Sequence, residues 1–224
     1  MRTARYLLVA VGLGLPLAAE SQESTRLLGE VRARSEAERP GGVDTTDAFT
    51  LLRARVAVEA ALSSKAVVLV QLQDARTFGE ELGTMDGSAE RLDMHQAWLQ
   101  YRAEAGGYSV AFRAGRQEVL LGSERLVGAV GWTNTGRSFD GLRVSAAPAG
   151  SSWKLNLLAA TVQERGRRLT GGAGAAGDHL LLGGWVEVKP GELFVLHDRE
   201  AAFRTFTGVD RTTAGARVGS TLGL

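Results

Sequence analysis

The stretch LLRARVAVEAAL, Leu51 to Leu62, places Arg53, Arg55 and Glu59 at alternate positions of an otherwise apolar run. A charged side chain in a packed core is costly unless it is paired, so these three need a face of their own. Alternation supplies one. In a β-strand successive side chains point to opposite faces, so Leu52, Ala54, Val56, Val58 and Ala60 share one face and the charged residues share the other. Ala, Leu and Arg also favour helices, and this window alone would allow one. Three further windows repeat the alternation: TRLLGEVRARSE from Thr25, YSVAFRAGRQ from Tyr108 and SWKLNLLAA from Ser152. Together they read as strands.

The same reading predicts ten strands, near 25–36, 49–62, 66–76, 92–103, 108–117, 138–147, 152–162, 179–189, 192–199 and 212–221. Phasing slips in the third and fourth. Arg76 falls on the parity of Val68 and Val70, and His95 on that of Ala97 and Leu99, which predicts a bulge or an early strand end. Short turns at 63–65, 104–107, 148–151 and 190–191 alternate with long polar segments at 37–48, 77–91, 118–137, 163–178 and 200–211. In an up-and-down antiparallel sheet every second connection lies at the same end. One rim then carries the long loops and the other the short turns, as in an outer-membrane barrel. The expected fold is therefore all-β: an antiparallel up-and-down transmembrane β-barrel. Its apolar parity (Ala, Val, Leu, Gly, with Tyr101, Tyr108 and Trp153 near strand ends) would face lipid, and its charged parity a wet lumen. Two alternatives stand beside it: a soluble sandwich that binds sugar in the periplasm, with the apolar parity in a dry core, and an outer-membrane barrel enzyme, which would need a Ser/His/acid set near one rim that the sequence does not show.

The N-terminus fits an exported chain. Arg2 and Arg5 precede an apolar run from Tyr6 to about Leu15 and then small residues, which reads as a signal peptide over 1–19 cut after Ala19, leaving 20–224 as the barrel domain. Its removal takes away two arginines and no acid, so the mature chain is near neutral and bulk charge gives no reason to expect nucleic acid. The chain has no cysteine, hence no disulfide framework, thiolate metal site or cysteine nucleophile.

Four blocks, VQLQDARTFGEELGT (70–84), LDMHQAWLQY (92–101), AGRQEVLLGSERLVG (114–128) and WTNTGRSFDGLRVS (132–145), resemble the alginate-export family of outer-membrane porins in order and spacing. The run from Gly115 to Arg143 is the most specific. The resemblance implies an eighteen-stranded barrel passing an anionic polysaccharide through an arginine-rich lumen, with no cofactor. Only about ten strands are predicted here, and the sequence stops at VGSTLGL without a terminal aromatic residue. The expectation is the N-terminal part of a larger barrel. Outer-membrane lipid, an anionic polysaccharide or related anionic solute, and periplasmic export proteins are the expected partners.

Candidate pore-lining residues follow from the polar parity: Arg32, Arg34, Arg53, Arg55, Arg113, Arg143 and Lys154, with Glu59, Asp74 and Asp140 among the counter-charges. Guanidinium stays charged and grips carboxylates bidentately, so a rank of arginines would favour a polyuronate and disfavour cations. The alternative role for these ladders is to brace the barrel wall. Arg116 of GRQ, with Arg137 and Asp140 of GRSFDG, are the family-motif residues. Gln71, Gln73, Gln96, Gln100 and Asn156 suit sugar hydroxyls or plain solvation.

Other motifs carry little. GAGAAG (172–177) matches a dinucleotide fingerprint but lacks the preceding strand and following helix, so it reads as a loop, as does the basic cluster Arg165, Arg167 and Arg168. The acidic segment Glu80, Glu81, Asp86, Glu90 and Asp93 lacks a calcium-loop pattern. His95, His179 and His197 are far apart and form no hydrolase or metal motif, so neither an enzyme nor a metal protein is expected.

Overall fold

The computed structural model describes residues 8–11, 25–38, 47–79, 90–163, 179–188, 190–200 and 208–219. GAGAAG, the basic cluster at 165–168, Glu80, Glu81, Asp86 and the final residues 220–224 lie outside them. The described residues form one all-antiparallel sheet in strict chain order. Its strands are β1 (Leu8–Val11), β2 (Thr25–Glu38), β3 (Asp47–Ala61), β4 (Ala66–Phe78), β5 (Glu90–Ala105), β6 (Tyr108–Gln117), β7 (Phe139–Pro148), β8 (Trp153–Gln163), β9 (His179–Val188), β10 (Gly191–Glu200) and β11 (Val209–Val218). The ten expected strands are β2 to β11. β1 lies within the stretch read as a leader and pairs with β2. Among the described residues β1 and β11 do not pair with each other.

Hairpin chemistry fixes the short rim. At β5–β6 the loop is Gly106-Gly107, both at positive φ (58° and 80°). Such a two-residue turn matches strand twist and strongly prefers glycine. At β3–β4 the Ser63 hydroxyl accepts from the main-chain N–H groups of Lys65 and Ala66 at 3.2 and 3.1 Å. β4 and β5 carry the bulge. Gln71 pairs with Gln96 and Leu72 with Met94, so His95 is the extra residue. It is thereby turned to the polar face, where it is 3% exposed.

The two faces of the sheet differ sharply. Val56 is 56% exposed and Val58, Val70, Leu72, Leu99, Phe112, Leu142 and Leu157 are likewise exposed, whereas Arg53 is 5% and Arg55 7% exposed. A sandwich would bury the apolar parity; here it is bare. The charged parity is covered instead by the connection between β6 and β7, residues 118–138. The sequence reading put this segment at the long-loop rim; it starts there and then folds back over the sheet.

That loop has an apolar and a polar side. Val119, Leu121 and Val127 join Phe139 of β7, Leu158 and Ala160 of β8, Leu181 and Trp185 of β9 and Leu196 of β10 in the buried cluster. Four residues beyond Val127, the carbonyl of Gly131 accepts a hydrogen bond from Arg32 of β2. Four extended residues span at most about 14 Å. β2 and β10 are eight strand spacings apart, about 38 Å in a flat sheet. Even with two side chains reaching inward, the loop meets both only because the sheet is rolled around it.

Candidate functional site: an internal loop seat and an uncovered basic cleft

Four arginines from β2 and β3 hold the polar limb of the loop. Arg32 donates to the carbonyls of Gly131 and Thr133, both at 2.6 Å, and Arg34 to that of Trp132 at 2.7 Å. The Arg34 guanidinium also lies 4.3 Å from the Trp132 ring centroid. Arg53 reaches the Gly131 and Thr133 carbonyls at 3.4 and 3.3 Å and pairs with Glu30. Arg32 and Arg53 stand directly opposite each other in register. Like charges in that position repel; here loop carbonyls and Glu30 take up terminal guanidinium donors of both, while the buried Nε of Arg53 has no hydrogen-bond partner.

Arg55 is the centre of a second group. It donates through Nε to Gln73 at 2.6 Å and through Nη1 to Glu118 at 3.1 Å, and Gln73 passes a hydrogen bond on to the Thr135 carbonyl at 2.8 Å. His95, placed by the bulge, meets the same Glu118 oxygen at 2.7 Å, while Ser138 lies 3.2 Å from its other ring nitrogen. Both ends of the loop are thus tied to one site. Burial alone would raise the pKa of Glu118, but the His95 hydrogen bond and the Arg55 charge outweigh it and hold the carboxyl below its ordinary value of 4.5. A lowered carboxyl stabilises the folded seat above its unfolded pKa and loses that contribution as pH falls through the folded value. The loop is therefore expected to stay seated from pH 7 down to 4.5 and to loosen below it. A fluorophore on Ser123→Cys, in a chain without other cysteines, reads this out as anisotropy; an anisotropy flat down to pH 3 would contradict it.

Other candidates separate by position. Glu59 pairs with Arg26 at 3.0 Å, and Gln71 accepts from Gln96 at 3.0 Å. Asp74 was read among the lining counter-charges but takes the opposite parity from Gln73. Adjacent residues of one strand point to opposite faces, and Asp74 instead pairs locally with Arg76 at 3.0 Å. Arg116 and Asp140 take the parity opposite to Arg113 and Arg143, so Asp140, like Asp74, does not share the face expected for a lining counter-charge; the two face each other across β6–β7 at the long-loop rim, joined at 2.9 and 2.6 Å. With Gln73, Asp93, His95 and Ser138 they line a cavity of about 240 Å³ under the loop. Arg137 is exposed on the loop and lines another cavity with His179 and Asp198.

Arg113, Arg143 and Lys154 come together elsewhere on the same face. With Arg102, Gln100, Ala111 and Ser145 they line a cleft of about 280 Å³, and among the described residues none of the 118–138 loop lines it. Arg113 lies flat on Trp98, 3.9 Å from a ring centroid, and donates twice to Gln100 at 3.1 and 2.6 Å. Arg143 stands directly opposite Arg113 and donates to Asn156 at 2.8 Å. Its buried Nε has no hydrogen-bond partner. Among the described residues no acid pairs directly with either arginine; Glu187 reaches Arg143 through Asn156. Arg102 was missed in the sequence, although it continues the parity of Gln100. The loop tip borders this region, since Gly122 packs against Glu192 and Trp185. The arrangement offers the positive charge and open donors that an anion would need. Four cations converge with neutral amides, and a carboxylate would satisfy the orphan Nε.

A family model for alginate export matches residues 25–196. The chain belongs to the alginate export family. Its members are outer-membrane porins that serve as transporters rather than enzymes, and the all-β, up-and-down sheet described above accords with that membership. No curated protein matches the chain. In this alginate-export chain the family match runs from the start of β2 into β10 and includes both the loop seat and the basic cleft.

Proposed function

We propose that this chain forms the wall of an outer-membrane channel for an acidic polysaccharide or a related anionic solute, with residues 1–19 as a cleaved leader. The basic cleft is its anion-contacting surface and the 118–138 loop its constriction. The observation that carries this is the Arg113–Arg143 pair. Two like charges face each other in register with neutral amides as their direct hydrogen-bond partners and with Glu187 reached only through Asn156, an arrangement that an added anion would stabilise. The arginines of β2 and β3, by contrast, are occupied in holding the loop. They brace first and shape the path second.

The bare face supports the membrane setting. On β6 its uncharged run from Tyr108 through Val110, Phe112 and Ala114 ends at Arg116. Those eight steps measure about 27 Å along the strand, or roughly 20 Å along a barrel axis at a 40° tilt, close to the band of about 25 Å in outer-membrane barrels. Tyr108 and Trp153 meet edge to face at the short-turn end, where an interfacial girdle would sit.

Bilayer recordings test the assignment. Arg113→Glu with Arg143→Glu is expected to turn an anion-favouring channel cation-favouring, changing the permeability ratio on the order of tenfold or more. Unchanged selectivity, or no wild-type conductance at all, would defeat it.

A further inference from the structure

The 118–138 loop exposes one aromatic ring that it has the means to bury. Val119, Leu121 and Val127 of the same loop are fully packed, yet Trp132 is 57% exposed. Its backbone is not free to move. The carbonyls of Gly131, Trp132 and Thr133 are held by Arg32 and Arg34, and Thr133 closes a turn onto the Val130 carbonyl at 3.1 Å. Arg34 lies over the ring itself. An indole held this rigidly among guanidiniums presents an apolar surface beside fixed positive charge. A sugar residue offers the complement, a pyranose C–H face to lie on the ring; Arg34 is already paired with Glu36 and the Trp132 carbonyl and Arg53 with Glu30, so among the described residues Arg32 is the nearby guanidinium with no acid paired to it that a uronate carboxylate would meet. We propose that Trp132 is a stacking platform for one sugar residue of the transported polymer, resting on the channel reading above.

Stacking does not depend on ligand charge, whereas the Arg113–Arg143 cleft does, and this separates the two. Purified full-length chain in detergent is titrated calorimetrically with an oligomannuronate and with maltohexaose. Trp132→Leu is expected to weaken both by about three- to tenfold, while Arg113→Gln with Arg143→Gln weakens the uronate alone. Trypsin cleavage at Arg125 and Arg137 is followed in parallel. If Trp132→Leu loosens the loop, Trp132→Phe, which keeps a ring on Arg34, decides: an intermediate affinity supports the platform and wild-type affinity overturns it. Wild-type protein that binds the uronate while Trp132→Leu binds it equally well overturns the platform and leaves the channel reading standing. Wild-type protein that binds neither sugar overturns both.

Discussion

Replacing Arg55 with methionine is expected to release the 118–138 loop from the sheet. Methionine fills similar space but returns none of the three contacts: Gln73 at 2.6 Å, Glu118 at 3.1 Å and the Thr135 carbonyl at 3.4 Å. Breaking a buried ion pair from one side costs about 3–5 kcal/mol. Glu118 is partly exposed and keeps His95, so the lower end applies. About 3 kcal/mol raises the open population of the loop roughly a hundredfold. Tryptic cleavage at Arg125 and Arg137, both exposed on the seated loop, should accelerate accordingly while the strands stay intact. Arg53→Met is the comparison. Its loop contacts are longer, 3.3 and 3.4 Å, and Arg32 holds the same carbonyls. A smaller effect is expected there. Equal cleavage of wild-type and Arg55→Met protein would show that the apolar side alone seats the loop.

The second large effect concerns assembly. Gly115→Val should abolish the folded sheet. Gly115 has φ +119° and lies so close to β5 that an added Cβ would stand 2.2 Å from the Ala97 carbonyl oxygen and 3.0 Å from the Trp98 Cα. Both obstacles are main chain, so neither can rotate away. Strain and overlap together exceed about 3 kcal/mol, and they fall where the β5–β6 ladder positions Arg113 and the start of the loop. Loss of the compact, heat-modifiable species on gels is the measurement. Gly107→Ala is the control: its φ is +80° but nothing lies within 4 Å of the added carbon. It should cost about 1 kcal/mol and leave the folded species in place.

The alternation around Arg53 and Arg55, repeated in three further windows and joined to the succession of short turns and long connections, placed ten strands, their order and their faces, because strand periodicity and turn chemistry are local properties of the backbone. It also located Arg113, Arg143 and Lys154 on one face. What it could not show was which arginines would be covered. Arg55 and Arg113 look alike in sequence, charged residues at alternate positions of apolar strands. One ends beneath Glu118 and Thr135, the other beside an open cleft. Asp74 was misplaced for a local reason: it follows Gln73, and two neighbours cannot share a face. His95 was flagged as out of phase, but its role at Glu118 depends on a loop residue beyond the end of the next strand.

The amino-acid order by itself determined that this chain is a meander of long antiparallel strands with one oily and one charged side, since side-chain period and turn chemistry act over a few residues. Only the tertiary structure decided what the charged side does. Rolling the sheet brings β2 and β10 within reach of a single inward loop, and the reach of that loop, not the type of residue beneath it, separates guanidiniums that hold main-chain carbonyls from those it leaves uncovered.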